Sequence, residues 1–341
     1  MLLKRKHLAA LLRGATPRRL GNLLLCEAER LAGRTRPVAR PYVATIDLSS
    51  ACSLHCPGCP TGNGMRGRRR AVLKPEVLTS FLDEVGHSLL IAHLYNWGEP
   101  LLNAKAADCV SLLSRRRIYT SLSTHLSLYD PARLRACFDA GLDHLIVSVD
   151  AASPETYERY RRGGDFRLVL RNLQQAVTWK RADKSIGTRI EWQFIVFDHN
   201  RHELEDARWL AHKIGVDQFS SVRPYGAITP RSTGPCTSLW RNIVLQSDGG
   251  LSPCCKTFLK KDDFGALKEG LQAFRHGRWS VQAREVHLGL VDREKVSAEH
   301  PCLRCPVTAA QLGHGFSDAP IDCVEGFKVM GLPRLRRREE L

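Results

Sequence analysis

No run of about eighteen apolar residues occurs anywhere in the 341-residue sequence, so no segment is expected to span a bilayer. A cleavable export signal is lacking too. Lys4, Arg5 and Lys6 imitate its charged start, but the apolar stretch behind them is short, is broken by Arg13 and has no small-residue cleavage site after it. Leu2, Leu3, Leu8, Leu11 and Leu12 instead share one face of a basic helix, which either docks on its own domain or makes a peripheral membrane contact. Negative charge is scarce: 35 Asp and Glu stand against 51 Lys and Arg, a net charge of +16. The excess gathers in the first forty residues and at Arg334, Arg336, Arg337 and Arg338. A solvated surface accounts for it as well as an acidic partner does, and the absence of a basic stripe interleaved with aromatics argues against nucleic acid. Hydrophobic residues make up 43% of the chain, enough for a sizeable core, so disorder is excluded as the general state.

What is present is alternation. Tyr42–Leu48, Leu89–Asn96, Ile118–Ser123, Leu145–Val149, Ile190–Val196 and Gln218–Val222 read as strands. Between them lie helical stretches starting at Pro75, Ala104, Asp130, Pro154 and Glu203; the fourth is expected to break at Gly163–Gly164. About six strand–helix units with short connections predict a parallel sheet with helices outside, an α/β fold built as a partial (β/α)6 TIM-like barrel. Residues 1–41 read as a basic helical N-terminal extension and 42–223 as the barrel. Residues 224–325 read as a small cysteine-rich domain containing a hairpin turned at Asp248-Gly249, and 326–341 as a basic tail.

The twelve cysteines fall mainly into two groups. In a long chain without an export signal, grouped cysteines bind metal or do redox work more often than they form disulfides, and a cytoplasmic location is expected. Cys52, Cys56 and Cys59 have C-x3-C-x2-C spacing and follow the first predicted strand, at the end of a barrel where active sites are built. Thiolates suit iron–sulfur clusters; three on one loop leave one iron of a cubane open for a further ligand. Zinc with His55 as fourth ligand is the competing reading, although His55 adjoins Cys56 and the two are poorly placed to reach one metal. In the second group, Cys236 and Cys254 bracket the hairpin, while Cys302 and Cys305 form a C-x2-C knuckle. Four thiolates make a closed site for a second iron–sulfur cluster or structural zinc. Cys255 is an alternative to Cys254; Cys255 and Cys323 are either buried thiols or hydrogen-atom donors. Cys26, Cys109 and Cys137 read as small apolar packing residues.

The C-x3-C-x2-C loop, with Tyr95-Asn96-Trp97-Gly98-Glu99-Pro100 after the second strand, resembles the radical S-adenosylmethionine (SAM) superfamily over roughly residues 42–222. Ser121-Leu122-Ser123-Thr124-His125 after the third strand is similar to the family's Ser-Thr-Asn ending, with His125 in place of Asn. Val147-Ser148-Val149-Asp150 is similar to its Ser-[Ile/Val]-Asp ending. The resemblance implies a SAM-binding 4Fe–4S cluster on Cys52, Cys56 and Cys59. It also implies SAM contacts from Gly98, Glu99, Pro100, Ser123, Ser148, Asp150 and Arg161. Gly58 stands where the family usually has an aromatic, so adenine packing must come from elsewhere. The implied reaction is reductive cleavage of SAM to a 5′-deoxyadenosyl radical that abstracts hydrogen from a substrate. No catalytic side chain is assigned.

The order Cys236…Gly249-x4-Cys254…Cys302-x2-Cys305 resembles the SPASM and Twitch auxiliary-cluster domains of that family, and implies a second 4Fe–4S cluster and net oxidation. Flavodoxin or ferredoxin is the expected electron donor. No peptide-binding leader domain is evident before Tyr42, so the expected substrate is a small, sugar-like molecule. A peptide, an RNA and a non-enzymatic zinc scaffold are the alternatives. Arg66, Arg68, Arg69 and Arg70 either meet a phosphate or carboxylate or form a solvated loop.

Overall fold

The computed structural model describes residues 5–65, 67–128, 130–224 and 235–305. Arg66, Cys323 and the basic tail with Arg334, Arg336, Arg337 and Arg338 lie outside the described residues. Two helices, α1 (Arg5–Gly14) and α2 (Pro17–Leu31), precede the first strand, β1 (Val43–Ile46). The series continues with α3 (Pro75–Val85), β2 (Ile91–His93), α4 (Ala106–Arg115), β3 (Tyr119–Thr124), α5 (Ala132–Asp139) and β4 (His144–Ser148). Next come α6 (Pro154–Tyr160), α7 (Phe166–Ala182), β5 (Arg189–Ile195), α8 (Leu204–Ile214) and β6 (Gln218–Val222). The described chain ends with α9 (Ser238–Arg241), β7 (Asn242–Leu245), β8 (Gly250–Ser252), β9 (Gly265–Ala266), α10 (Gly270–His276) and α11 (Arg278–Leu288).

The punctuation read from the sequence acts as expected. Asp130 Oδ1 accepts from the Ala132 amide at the start of α5. The helical stretch from Pro154 breaks at Gly163, which has φ +82°, and α7 restarts under an Asp165 cap.

Strand order is β6-β5-β4-β3-β2-β1-β7-β8-β9, an open sheet. β1 to β6 are parallel neighbours, as the alternation predicts. The hairpin does not hang free of this sheet. β7 pairs in parallel with β1 on the side away from β2, so a seventh parallel strand extends the barrel wall and the antiparallel β8 and β9 follow it.

Register separates two faces. One face carries Ala44, Leu122, Leu145, Val147, Ile190 and Trp192, all fully buried beneath the helices. The other is polar: Thr45, His93 and Ser121 stand abreast on β1–β3, and Glu191, Gln193 and Ser220 continue the face on β5 and β6. A core on the helix side and a polar lining inside is the arrangement of a barrel that receives a ligand in its mouth.

The N-terminal helices are docked. Ala10 of α1 is buried with Leu90, Ile91 and Tyr119 at the start of β2 and β3. Arg19 of α2 is buried and donates to the carbonyls of Gly14, Gly86, Arg116 and Arg117 at 2.8–3.2 Å. Those carbonyls lie at the C-terminal ends of α1, α3 and α4, where backbone acceptors lack helical partners and favour a cation.

Candidate active site

The loop between β1 and α3 carries the first cysteine group and is pinned at both ends. Leu73 donates its amide to the Leu48 carbonyl at 3.0 Å, and the Asn103 side chain donates to the carbonyls of both residues. Asn103 was invisible to the sequence reading, since a side-chain amide gripping two loop ends leaves no spacing signature.

Cys52, Cys56 and Cys59 are part-buried to buried on this loop, and Cys59 donates its amide to the Cys56 carbonyl at 3.1 Å. Burial pushes the Cys52 thiol up to about 12, with Glu99 and the other two cysteines adding like-charge repulsion. Burial raises Cys56 and Cys59 as well, and Arg161 opposes the rise at both. Three thiols kept from water and close enough to repel one another as thiolates fit a cationic cluster, whose positive charge would reverse the shift. Among the described residues, no three His, Cys, Asp or Glu groups converge on a single metal ion.

The motif after β2 packs directly against this loop. A Cβ on Gly98 would lie 1.7 Å from the Ser49 carbonyl oxygen, so only glycine allows the approach. Glu99 donates its amide to the Ala51 carbonyl. Its buried carboxylate turns away toward β3: Oε1 accepts from Leu101 N and Thr124 Oγ1, and Oε2 from the His125 amide. His125 Nε2 lies 3.2 Å from Oε2. Because His125 Nδ1 accepts from the Ser127 amide, the proton of the neutral ring sits on Nε2, whose hydrogen-bond partner is Ser53 Oγ at 3.3 Å, with Glu99 Oε2 beside it. Burial lowers the His125 pKa, so the ring is neutral. His125 therefore braces Glu99. Pro100 is buried at the first position of a short turn.

On the β4 side, Asp150 is buried, accepting from Arg161 Nε and the Ile195 amide, each at 2.7 Å. Burial alone would lower the Arg161 pKa; Asp150, and then Cys56, hold it above its ordinary value. Arg161 thus joins Asp150 to the cysteine loop. Ser123 Oγ and Ser148 Oγ are 3.4 Å apart. Tyr160 packs against Phe197 with ring centroids 4.4 Å apart and planes tilted by 42°, beside Arg161.

Cys236, Cys254, Cys302 and Cys305 lie near enough to one another for their thiolates to interact, though no three of them converge on one metal position among the described residues. Burial raises Cys254 and Cys302 well above the ordinary thiol value, and mutual repulsion within the four adds to it. Cys255 is exposed and Cys254 half-buried, and Cys254 interacts with Cys255 as well as with Cys236 and Cys305. His300 is fully buried here, its Nδ1 accepting from the Cys302 amide.

Trp97 spans the two cysteine groups. Its carbonyl accepts from Cys59 Sγ at 3.6 Å, and its indole Nε1 donates to the Cys255 carbonyl at 2.9 Å. Arg68 makes a second tie. Its buried guanidinium pairs with Asp248 at 2.7 Å and Asp263 at 2.5 Å and donates to the carbonyls of Phe258 and Leu259. It is neither a solvated loop residue nor free to meet a phosphate, because two hairpin carboxylates already neutralise it. Arg69 and Arg70 are exposed.

The barrel lining adds residues that the sequence reading passed over. His93 Nδ1 lies 2.6 Å from Ser121 Oγ, with the Tyr95 ring centroid 5.5 Å from that of His93. On the adjoining strand, where His144 is the register partner of Ser121, His144 Nε2 stands 2.9 Å from Glu191 Oε2 and Ser220 donates to the same carboxylate. Burial opposes ionisation of Glu191, but these donors hold its pKa below the usual range.

Residues 46–178 match the model of the Radical SAM superfamily. The PqqA peptide cyclase of Granulibacter bethesdensis is 25% identical over 189 residues, covering 54% of this chain and 48% of that protein. The mycofactocin maturase MftC of Mycobacterium ulcerans is 26% identical over 192 residues, with the same coverage of both chains. The chain spans about half the length of these curated relatives. Among solved structures, Streptococcus suis SuiB bound to precursor peptide SuiA superposes with a TM-score of 0.58 at 12% identity, over 76% of this chain and 69% of that one. Native anSMEcpe with bound AdoMet gives 0.56 at 15% identity, over 72% and 84%. At these identities the likeness is one of fold.

Proposed function

We propose that this chain is a radical SAM enzyme, using the family's 4Fe–4S cluster and SAM, and that it modifies a peptide; the match of residues 46–178 to the Radical SAM superfamily supports the first part. The observation that carries the SAM reading is the shared location of the thiols of Cys52, Cys56 and Cys59, the Gly98 approach and the Asp150–Arg161 pair at the strand ends of one barrel. Cys52, Cys56 and Cys59 hold the cluster, which supplies the electron for reductive cleavage of SAM. Gly98 lets the cofactor's amino end lie close to the backbone; Ser123, Ser148 and Asp150 line its ribose side. Arg161 faces its carboxylate, and Tyr160 with Phe197 covers the adenine. Cys236, Cys254, Cys302 and Cys305 hold the auxiliary cluster. Flavodoxin or ferredoxin supplies electrons, in the cytoplasm.

The substrate reading departs from the expectation drawn from the sequence. The curated relatives include peptide cyclases by name, beside a mycofactocin maturase, which supports a peptide better than a sugar-like molecule. The polar lining from His93 to Ser220 suits a substrate with many hydrogen-bonding groups.

Two measurements test this. Anaerobic reconstitution should give about two 4Fe–4S clusters, and the Cys52→Ala/Cys56→Ala/Cys59→Ala variant should lose about half the iron and all SAM cleavage. Cleavage surviving in that variant would sink the assignment. For the substrate, short peptides encoded beside the gene are presented in deuterated form. Deuterium in 5′-deoxyadenosine supports the peptide reading; deuterium transfer from sugars and not from peptides rejects it.

A further inference from the structure

Helix α2 is packed inside out. A surface helix ordinarily turns its apolar stripe inward and its charges to water. In α2 the fully buried side chains are Arg19, Cys26 and Glu29, while leucines face solvent. Leu24 is 70% exposed and Leu31 75%, and Leu20 and Leu25 are exposed beside them. At 3.6 residues per turn Leu20, Leu24 and Leu31 fall within an arc of about 40°. Gly21, Ala28 and Ala32 fill the positions on one flank and half-buried Glu27, paired with Arg241, lies on the other, so Arg18 is the one exposed charge on α2. Of nine large apolar side chains exposed among the described residues, six lie between Leu12 and Val38.

The inversion is held in place. Arg19 cannot turn outward without leaving four carbonyls unpaired, and Glu29 accepts the amides of Val38 and Ala39, each at 2.8 Å. The face is therefore a fixed property of the fold. Around it the charge is of one sign: residues 1–40 contain ten Lys and Arg against two Glu. Both Glu are engaged internally, Glu27 with Arg241 and Glu29 with the backbone. Arg18, Arg34 and Arg36 are exposed at the two ends of the helix.

An apolar strip framed by cations fits a surface that is apolar within and anionic at its rim. We propose that α2 is a membrane-docking helix which lies in the headgroup region of an anionic bilayer, inserting Leu20, Leu24 and Leu31 while the flanking arginines meet lipid phosphates. A second copy fits poorly, because a two-fold contact would set the same arginines against each other. The site differs from the expectation drawn from sequence, which assigned the face to the first twelve residues. Of those leucines, Leu11 packs against the barrel with Ala10, Leu12 is exposed, and Leu2, Leu3 and Leu8 lie outside the described side chains.

The test is flotation of the full chain with vesicles of phosphatidylcholine and phosphatidylglycerol at 3:1, compared with pure phosphatidylcholine. The chain should float with the anionic vesicles and at least ten-fold less with neutral ones, and raised salt should weaken binding several-fold. The Leu24→Gln/Leu31→Gln variant should keep the wild-type thermal midpoint, since both side chains are exposed, and lose flotation at least ten-fold. Failure of the wild-type chain to float, or undiminished flotation of the variant, overturns the proposal. So does light scattering that shows a wild-type dimer which the variant converts to a monomer. None of these readouts uses SAM cleavage, so the outcome is independent of the catalytic reading.

Discussion

Three donors meet the two oxygens of Glu99 within the first turn after β2 and the end of β3, and the His125 ring stands 3.2 Å from Oε2. Glu99→Gln puts an amide donor against either Leu101 and Thr124 or the two His125 groups, and an unmatched buried donor costs about 1–3 kcal/mol. Urea unfolding should show that loss before any cofactor is added. His125 gives a pH dependence. Its folded pKa lies below the unfolded value of about 6.5, so its contribution is complete above that value and is lost as pH falls through the folded pKa. The His125 contribution to the thermal midpoint should therefore fall as pH drops below about 6.5, read as the difference between wild type and His125→Asn. Over the same range Asp47, which burial pushes up to about 6, gains a proton with the opposite effect on stability in both proteins. The sequence made Gly98 and Glu99 legible as a motif, but not that Glu99 is braced by its neighbour on β3. That contact depends on side-chain direction, and β-strand alternation does not report where a residue beyond the strand end turns.

At the scale of elements, the cysteine loop is an excursion held by other elements rather than by itself. Gly98→Ala should drive the loop off the motif after β2. We expect a loss of about 1–3 kcal/mol from overpacking and a fall in reconstituted iron, checked by thermal melts and iron analysis. Arg68→Ala removes the buried guanidinium from Asp248 and Asp263 and leaves them only the half-exposed Lys260 ammonium, so the loss should stay below the about 3–5 kcal/mol of a buried pair left with no cation. Chemical unfolding should show it, and Arg68→Lys should recover only part because one ammonium cannot match a forked contact. The strands, the capped helices and the hairpin turn were readable because each is specified within a dozen residues. Arg68 was not, since its partners lie 180 and 195 residues away in the chain. The grouping of Cys236 with the knuckle at Cys302 was legible from motif order; Trp97 as the residue between both cysteine groups was not.

For the whole molecule, the alternation of strands and helices predicts the parallel wall, and the structure adds how its two ends attach. The N-terminal helices form a cap on the underside rather than a detached leader, with Arg19 gathering the C-terminal ends of three helices. Arg19→Gln removes the cation from those carbonyls, and a loss of about 2–3 kcal/mol is expected. Differential scanning calorimetry should show it as a drop of roughly 4–12 °C, at about 2–4 °C per kcal/mol for a chain of this size. A composition-based reading detects the charge of this segment but not its direction, because helix periodicity alone assigns leucines inward. In α2 the carbonyl ends of α1, α3 and α4 compete for Arg19 and reverse that rule.

The pairing of β1 between β2 and β7 sets a timetable for synthesis. Domains begin to assemble as they leave the ribosome. The wall from β1 through β6 can form once residue 222 has emerged, yet the strand beneath the cysteine loop keeps one open edge until residues 242–245 arrive. Through that interval Cys52, Cys56 and Cys59 sit beside an unfinished wall, with neither Arg68 latched nor Trp97 bonded across. The cysteine loop thus stays open on that side until the hairpin docks, and one docking event closes the edge of β1 and brings Arg68 and Trp97 into their contacts together.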